Sequence, residues 1–232
     1  MVQQDYSQED KFVATVLRTW AWAQRNTRTL VVGIVAAAII VFGVRYYVDY
    51  QARVREAASA QIRAIRFDSQ TSNAAATVDR LQAFLIQFGS TPYSREARVL
   101  LAHALLLQNR AAEAIEPARQ AADKVGSEPL SNRAAFLLAA AYEEVADTSA
   151  AIAAYEQVGL HSQLRLEKSQ GLEGAARLRA AQGDHAGAAA LYDQLIELFS
   201  ESAQGRAFYE LRAAEERAQA LVTSQATLAE GG

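Results

Sequence analysis

The chain has 232 residues, a formal net charge of −3, twelve glycines, three prolines and no cysteine. That length holds one domain with appendages or two small domains. Without cysteine there are no disulfides, Cys-based zinc sites, iron–sulfur clusters or lipidated N-terminal cysteine, and without a basic balance there is no global signal for nucleic acid. Ala, Leu, Arg, Glu and Gln dominate, which favours helix nearly throughout and an all-α fold class.

Residues 1–28 form a polar N-terminal segment carrying an amphipathic stretch, KFVATVLRTWAWAQRN. Phe12, Val13, Val16, Leu17 and Trp20 fall at helical spacing on one face, while Lys11, Arg18 and Arg25 lie mainly on the polar sides. That pattern describes a short helix lying in the membrane interface, or one packed on a partner protein.

Residues 29–50 read as a transmembrane helix. Leu30 to Val44 holds no charge, and ten of its fifteen residues are Leu, Val, Ile or Phe, which together favour insertion by about 3–6 kcal/mol. The run is short for a span of about 20 residues. Its flanks supply the rest: Trp20 and Trp22 precede it, Tyr46, Tyr47 and Tyr50 follow as an aromatic belt, and Arg45 can snorkel. A buried core helix and a cleaved signal peptide are the rivals; the long polar leader and the lack of a small-x-small cleavage site count against the second. Gly33 and Ala37 make a small-xxx-small pair, widened by Ala36 and Ala38, that suits packing against another span. Lysines and arginines nearly balance across the run, so charge alone leaves the orientation open.

Residues 51–221 carry an internal repeat. Three corners, Gln108-Asn109, Ala146-Asp147 and Gly183-Asp184, each precede an alanine-rich run, and Ala114, Ala151 and Ala188 align at a constant 37 residues. Small residues let two antiparallel helices approach, and Tyr155 or Tyr192 one turn later fills the gap to the next helix. Gly183 stops one helix and Asp184 can cap the following one. Pro117 falls inside a second helix and should kink or shorten it. Upstream, TVDRLQAFLIQFGSTP is the second helix of a preceding half-unit whose partner is the stretch from Tyr50 to Phe67. GRAFYELRAAEERAQAL reads as a terminal capping helix, and residues 222–232 as a flexible tail.

The small-residue positions and the Gly-Asp turn resemble the tetratricopeptide repeat, whose usual period is 34 residues. The expected fold is therefore an interfacial helix, one transmembrane helix and an α-solenoid of three to four helical hairpins. The first-helix Trp of that family is missing from every unit, and Arg179 stands where a Tyr or Leu is usual.

From about Gln8 to Leu221 the order of parts resembles the ancillary subunit of the bacterial Sec translocon, on the landmarks GVRYYVDYQARVREAASA after the span and QGDHAGAAALYDQL in the third unit. That resemblance implies a single-pass inner-membrane protein with a cytoplasmic N-terminus and a periplasmic repeat domain, associating with the translocon and with periplasmic chaperones.

No motif carries a reaction. His103, His161 and His185 stand far apart, no HExxH, GxSxG or P-loop occurs, and no strand precedes Gly171 and Gly174 in GLEG. Glu143-Glu144 and Glu215-Glu216 read as solvated helix faces. The expectation is no enzyme, no cofactor, no metal, no nucleic acid and no small-molecule substrate. What remains is a surface. Mapped onto the first helix of each pair, the groove residues are Val99, His103, Leu106, Arg133, Phe136, Glu143, Glu173 and Arg177, a mixture suited to a peptide segment or a subunit face. Two functions fit: a membrane-tethered adaptor or chaperone beside the translocon, and a structural accessory subunit of a respiratory or photosynthetic membrane complex.

Overall fold

The computed structural model describes residues 6–69 and 74–230, all of whose regular structure is helical. The chain divides into two compact units, Met1–Arg55 and Glu56–Gly232.

In the first unit, α1 (Tyr6–Arg25) is followed by α2 (Thr27–Ser69), with a one-residue break at Asn26. The Asn26 side-chain amide donates to the Trp22 carbonyl at 3.1 Å, and the Thr27 hydroxyl donates to the Gln24 carbonyl at 2.9 Å. The Trp22 carbonyl also accepts the Asn26 backbone N–H at 3.0 Å, and the Thr27 hydroxyl occupies a carbonyl that the helix end leaves open. Helix α2 does not stop where the apolar run stops: it carries on for 25 residues past Val44 and enters the second unit at Glu56.

The second unit holds the end of α2 together with α3 (Ala74–Phe88), α4 (Ser94–Leu106), α5 (Ala111–Ala121), α6 (Pro129–Glu144), α7 (Thr148–His161), α8 (Arg165–Ala181), α9 (His185–Leu198) and α10 (Ala203–Glu230). Each helix from α3 onward packs on the next in the chain, as a stack of hairpins requires. The period of 37 residues is visible in three dimensions. Asn109, Ala146 and Gly183 all adopt left-handed backbone, with φ of 57°, 61° and 82°. At each of these corners the following N–H reaches back five residues, from Arg110 to Leu105, Asp147 to Tyr142 and Asp184 to Arg179, at 3.0, 2.9 and 2.9 Å. Asp147 and Asp184 then cap α7 and α9 by accepting from Ala150 and Gly187. The N-cap of α5 is Arg110, which has no side-chain cap.

The core follows the same register. Ala102, Ala139, Ala176 and Ala213 have no exposed surface, and neither do Ala114, Ala151 and Ala188. One step earlier, Ile65 and Thr77 are buried at the matching places on α2 and α3. Asp68 of α2 pairs with Arg80 of α3, and residues 70–73 between the two helices lie outside the described residues. Pro117 lies inside α5 without breaking it, although it offers no N–H to Glu113; α5 has 11 residues against 14 in α7 and α9.

Between hairpins, Asn132 makes a buried seam. Its amide donates to Glu167 at 2.7 Å and to Ser162 at 3.4 Å, and its carbonyl oxygen accepts from the Gly126 N–H at 2.6 Å. Arg95, one period earlier, plays the same part with charge, bonding Asp123 at 2.9 Å and also Glu128.

The repeat ends at α10. Where α8 has Gly171, Ala175 and Leu178, α10 has Phe208, Arg212 and Glu215, all exposed. Tyr209 and Ala213, in register with Leu172 and Ala176, stay buried. One side of α10 thus completes the stack and the other closes it with polar side chains. The segment after Leu221, expected as a flexible tail, is a continuation of α10 to Glu230.

Candidate protein-binding surface

Four of the eight expected groove residues come together. Near the C-terminus of α6, the Glu143 carboxylate accepts from the Tyr155 hydroxyl of α7 at 2.7 Å and from Arg177 of α8 at 2.8 and 2.7 Å. The Phe136 ring lies 6.2 Å from that of Tyr155. On the other side of Tyr155 stands Gly174, where a Cβ would come within 2.7 Å of the ring. Burial, then the Glu143 carboxylate, pushes the Tyr155 phenol up to about 12. The same carboxylate holds the Arg177 guanidinium above its ordinary value.

Glu173, one helix turn before Arg177, accepts from the Tyr209 hydroxyl of α10, whose phenol is pushed up by burial and then by that carboxylate. Between them opens a hollow of about 370 Å³ lined by Gln170, Glu173, Gly174 and Arg177 of α8, Tyr192 of α9, and Phe208 and Arg212 of α10. Phe208 is 52% exposed, and the Arg212 guanidinium sits 5.7 Å from its ring centroid. The surface therefore offers aromatic faces and paired charges side by side, with its carboxylates already holding donors. Such a lining suits a peptide segment, since it gives area and hydrogen bonds and holds no activated nucleophile.

The other positions fall elsewhere. His103 is exposed and Leu106 half-buried on α4, and Arg133 is exposed on α6. Val99 is a correction: it is 3% exposed and packs against Ala121 and Ala134, so it belongs to the core. Glu143 and Glu216 also differ from the expected solvated faces. Glu143 holds the cluster just described, and Glu216 accepts from His185 Nδ1 at 2.7 Å; their neighbours Glu144 and Glu215 are exposed. Gly171 and Gly174 lie inside α8, where they admit α7. Sequence reasoning missed Gly174, Tyr209, Phe208 and Arg212. For the last two, the available signal was the register, since a Phe and an Arg replace Gly171 and Ala175 one period on.

The residues expected to anchor the chain all lie in the first unit. Trp20, Trp22, Tyr46 and Tyr47 are 65%, 55%, 72% and 62% exposed. Arg45 pairs with Asp49 at 3.4 Å, and Ala37 is exposed. A Cβ on Gly33 would meet nothing within 4 Å.

The tetratricopeptide repeat-like domain family matches residues 20–212. The chain belongs to that family. Two solved structures share the fold: a candidate kinesin light chain of Podosopora anserina with nearly identical TPR-like repeats, and a single-substitution variant of it. Each is 19% identical, with a TM-score of 0.54 over 76% of this chain and 91% of that one. Comparison with curated proteins gives no match. Tetratricopeptide repeat-like domains are protein-interaction modules, and that is the general role of this one.

Proposed function

We propose that this repeat protein is anchored in a bacterial inner membrane by α2, with its N-terminus cytoplasmic and its repeats periplasmic, and that it serves there as a translocon-associated adaptor or chaperone. The supporting observation is the bare apolar stretch of α2. Val32, Ile40 and Phe42 are 68%, 65% and 76% exposed, and large apolar side chains stand on every side of the helix between Val31 and Val48. A helix that is apolar all round is stable in a hydrocarbon surround and not in water. Tethering sets a high effective concentration of the groove beside the membrane, so weak contacts of the Phe136–Glu143–Arg177 patch with a passing chain suffice.

Copurification in mild detergent, with the span intact and mass spectrometry as the readout, tests this. Salt-labile capture of polypeptides together with translocon subunits is the expected result. A fixed stoichiometry with a redox or pigment complex would instead establish the second reading, a structural accessory subunit of a respiratory or photosynthetic assembly. That reading is favoured by α10, whose Phe208, Leu211, Leu221 and Val222 are all more than half exposed and suit a permanently covered face. Release of the protein by carbonate washing would rule out the anchor in both.

A further inference from the structure

From Lys11 to Val48 the chain has no acidic residue, and it has five cations: Lys11, Arg18, Arg25, Arg28 and Arg45. The whole protein is acidic, so this segment stands apart from the rest. Arg18, Arg25 and Arg28 are exposed and make no ion pair among the described residues. Most arginines of the second unit differ: Arg95, Arg110, Arg119, Arg177, Arg179, Arg206, Arg212 and Arg217 have carboxylate partners, while Arg63, Arg98 and Arg133 have none among the described residues. At 100° per residue, Arg18 and Arg25 lie along one line of α1, and Val13, Val16 and Trp20 lie opposite. Val13, Val16, Leu17 and Trp20 are 53%, 49%, 62% and 65% exposed.

We infer that α1 is a docking helix for the anionic headgroups of a lipid surface. The inference rests on the membrane-anchor reading of α2 and adds the chemistry of the surface that α1 meets. Its apolar face enters the headgroup–acyl boundary, and Arg18 and Arg25, which have no ion-pair partner among the described residues, take phosphates as their counter-charge. A neutral protein face would cover the valines and Trp20 but leave the Arg18 and Arg25 guanidinium groups of α1, and that of Arg28 in the first turn of α2, unanswered. An anionic bilayer answers both halves of the helix.

The only two tryptophans of the chain, Trp20 and Trp22, are both on α1 and report on it directly. The full-length protein is reconstituted into vesicles of phosphatidylcholine alone and of equal parts phosphatidylcholine and phosphatidylglycerol, with brominated acyl chains as quencher. Flotation measures incorporation, and tryptophan quenching measures α1 docking. Quenching is expected to be stronger in the anionic vesicles and to fall at high salt. Each of Arg18→Gln, Arg25→Gln and Arg28→Gln should lower the docked-to-free ratio about fivefold there, with no effect in phosphatidylcholine. Equal, salt-insensitive quenching in both vesicles overturns the inference while leaving the anchor intact. So does an absence of quenching in floated protein, which assigns the face to a protein partner. Flotation with anionic vesicles alone supports the inference and removes the anchor reading; flotation with neither removes both.

Discussion

Gly171 of α8 stands directly against Gly159 of α7: a Cβ on Gly171 would lie 2.5 Å from the Gly159 nitrogen and 2.7 Å from the Tyr155 carbonyl oxygen. Those are backbone atoms, which cannot swing aside as a side-chain end can. Gly171→Ala must therefore push α7 and α8 apart, at a cost of about 1–3 kcal/mol. Thermal unfolding should show a midpoint several degrees lower, at roughly 2–4 °C per kcal/mol for a domain of this size. An unchanged midpoint would mean that the two helices are not in contact there.

The three corners make opposite predictions for the same chemistry. Ala146 holds φ of 61°, which an L side chain adopts at a cost, whereas Gly183 holds φ of 82° with nothing within 4 Å of a Cβ. Ala146→Gly should raise stability by up to about 1 kcal/mol, and Gly183→Ala should lower it by about 1 kcal/mol. Chemical denaturation of the pair checks both signs. Two shifts of the same sign would contradict the shared left-handed geometry.

Asp184 caps α9 through Gly187 and bonds Arg179 at 2.7 Å. The Gly187 N–H, then Arg179, holds its carboxyl below the ordinary aspartate range. A depressed folded-state value means the contribution is complete above the unfolded value of about 4 and disappears as pH falls through the lower one. Asp184→Ala should cost about 1 kcal/mol at neutral pH, and wild type and variant should converge in strong acid. Denaturation midpoints across the acid range provide the test.

Tyr155→Phe removes the donor to Glu143 and leaves Arg177 on the same carboxylate, so a loss of about 1 kcal/mol is expected at neutral pH. In the wild type the phenol is raised from 10.0 to about 12. A raised folded-state value stabilises the neutral form, so this contribution is present below pH 10 and is lost as pH climbs towards 12. Phenolate absorbance should show Tyr155 among the late-titrating tyrosines together with Tyr209, and the late amplitude should fall, not vanish, in Tyr155→Phe.

Much of this fold was legible because helical hairpins write their geometry in small residues. The alignment of Ala114, Ala151 and Ala188 located three corners whose backbones agree in hand and hydrogen bonding. The groove was less legible. Val99 occupies the same register as Phe136 and Glu173, yet it packs inward because Ala121 and Ala134 leave room for it. Spacing specifies which side of a helix a residue takes, and only the neighbours specify whether that side is covered. Tyr209 was hidden for a related reason: its partner Glu173 lies 36 residues away, and no local pattern announces a bond across that distance. Helix α10 ran past its expected end because TSQATLAE has no apolar period to mark it, while Ala, Leu, Gln and Glu still favour helix.

The exchange of Gly171, Ala175 and Leu178 for Phe208, Arg212 and Glu215 has a consequence for how such proteins can vary. The terminator is confined to one helix, and each interior module touches only its immediate neighbours. Duplication or deletion of a single 37-residue module upstream would leave both the first unit and α10 untouched. The length of the stack can therefore change in whole-module steps while α10 keeps closing its end.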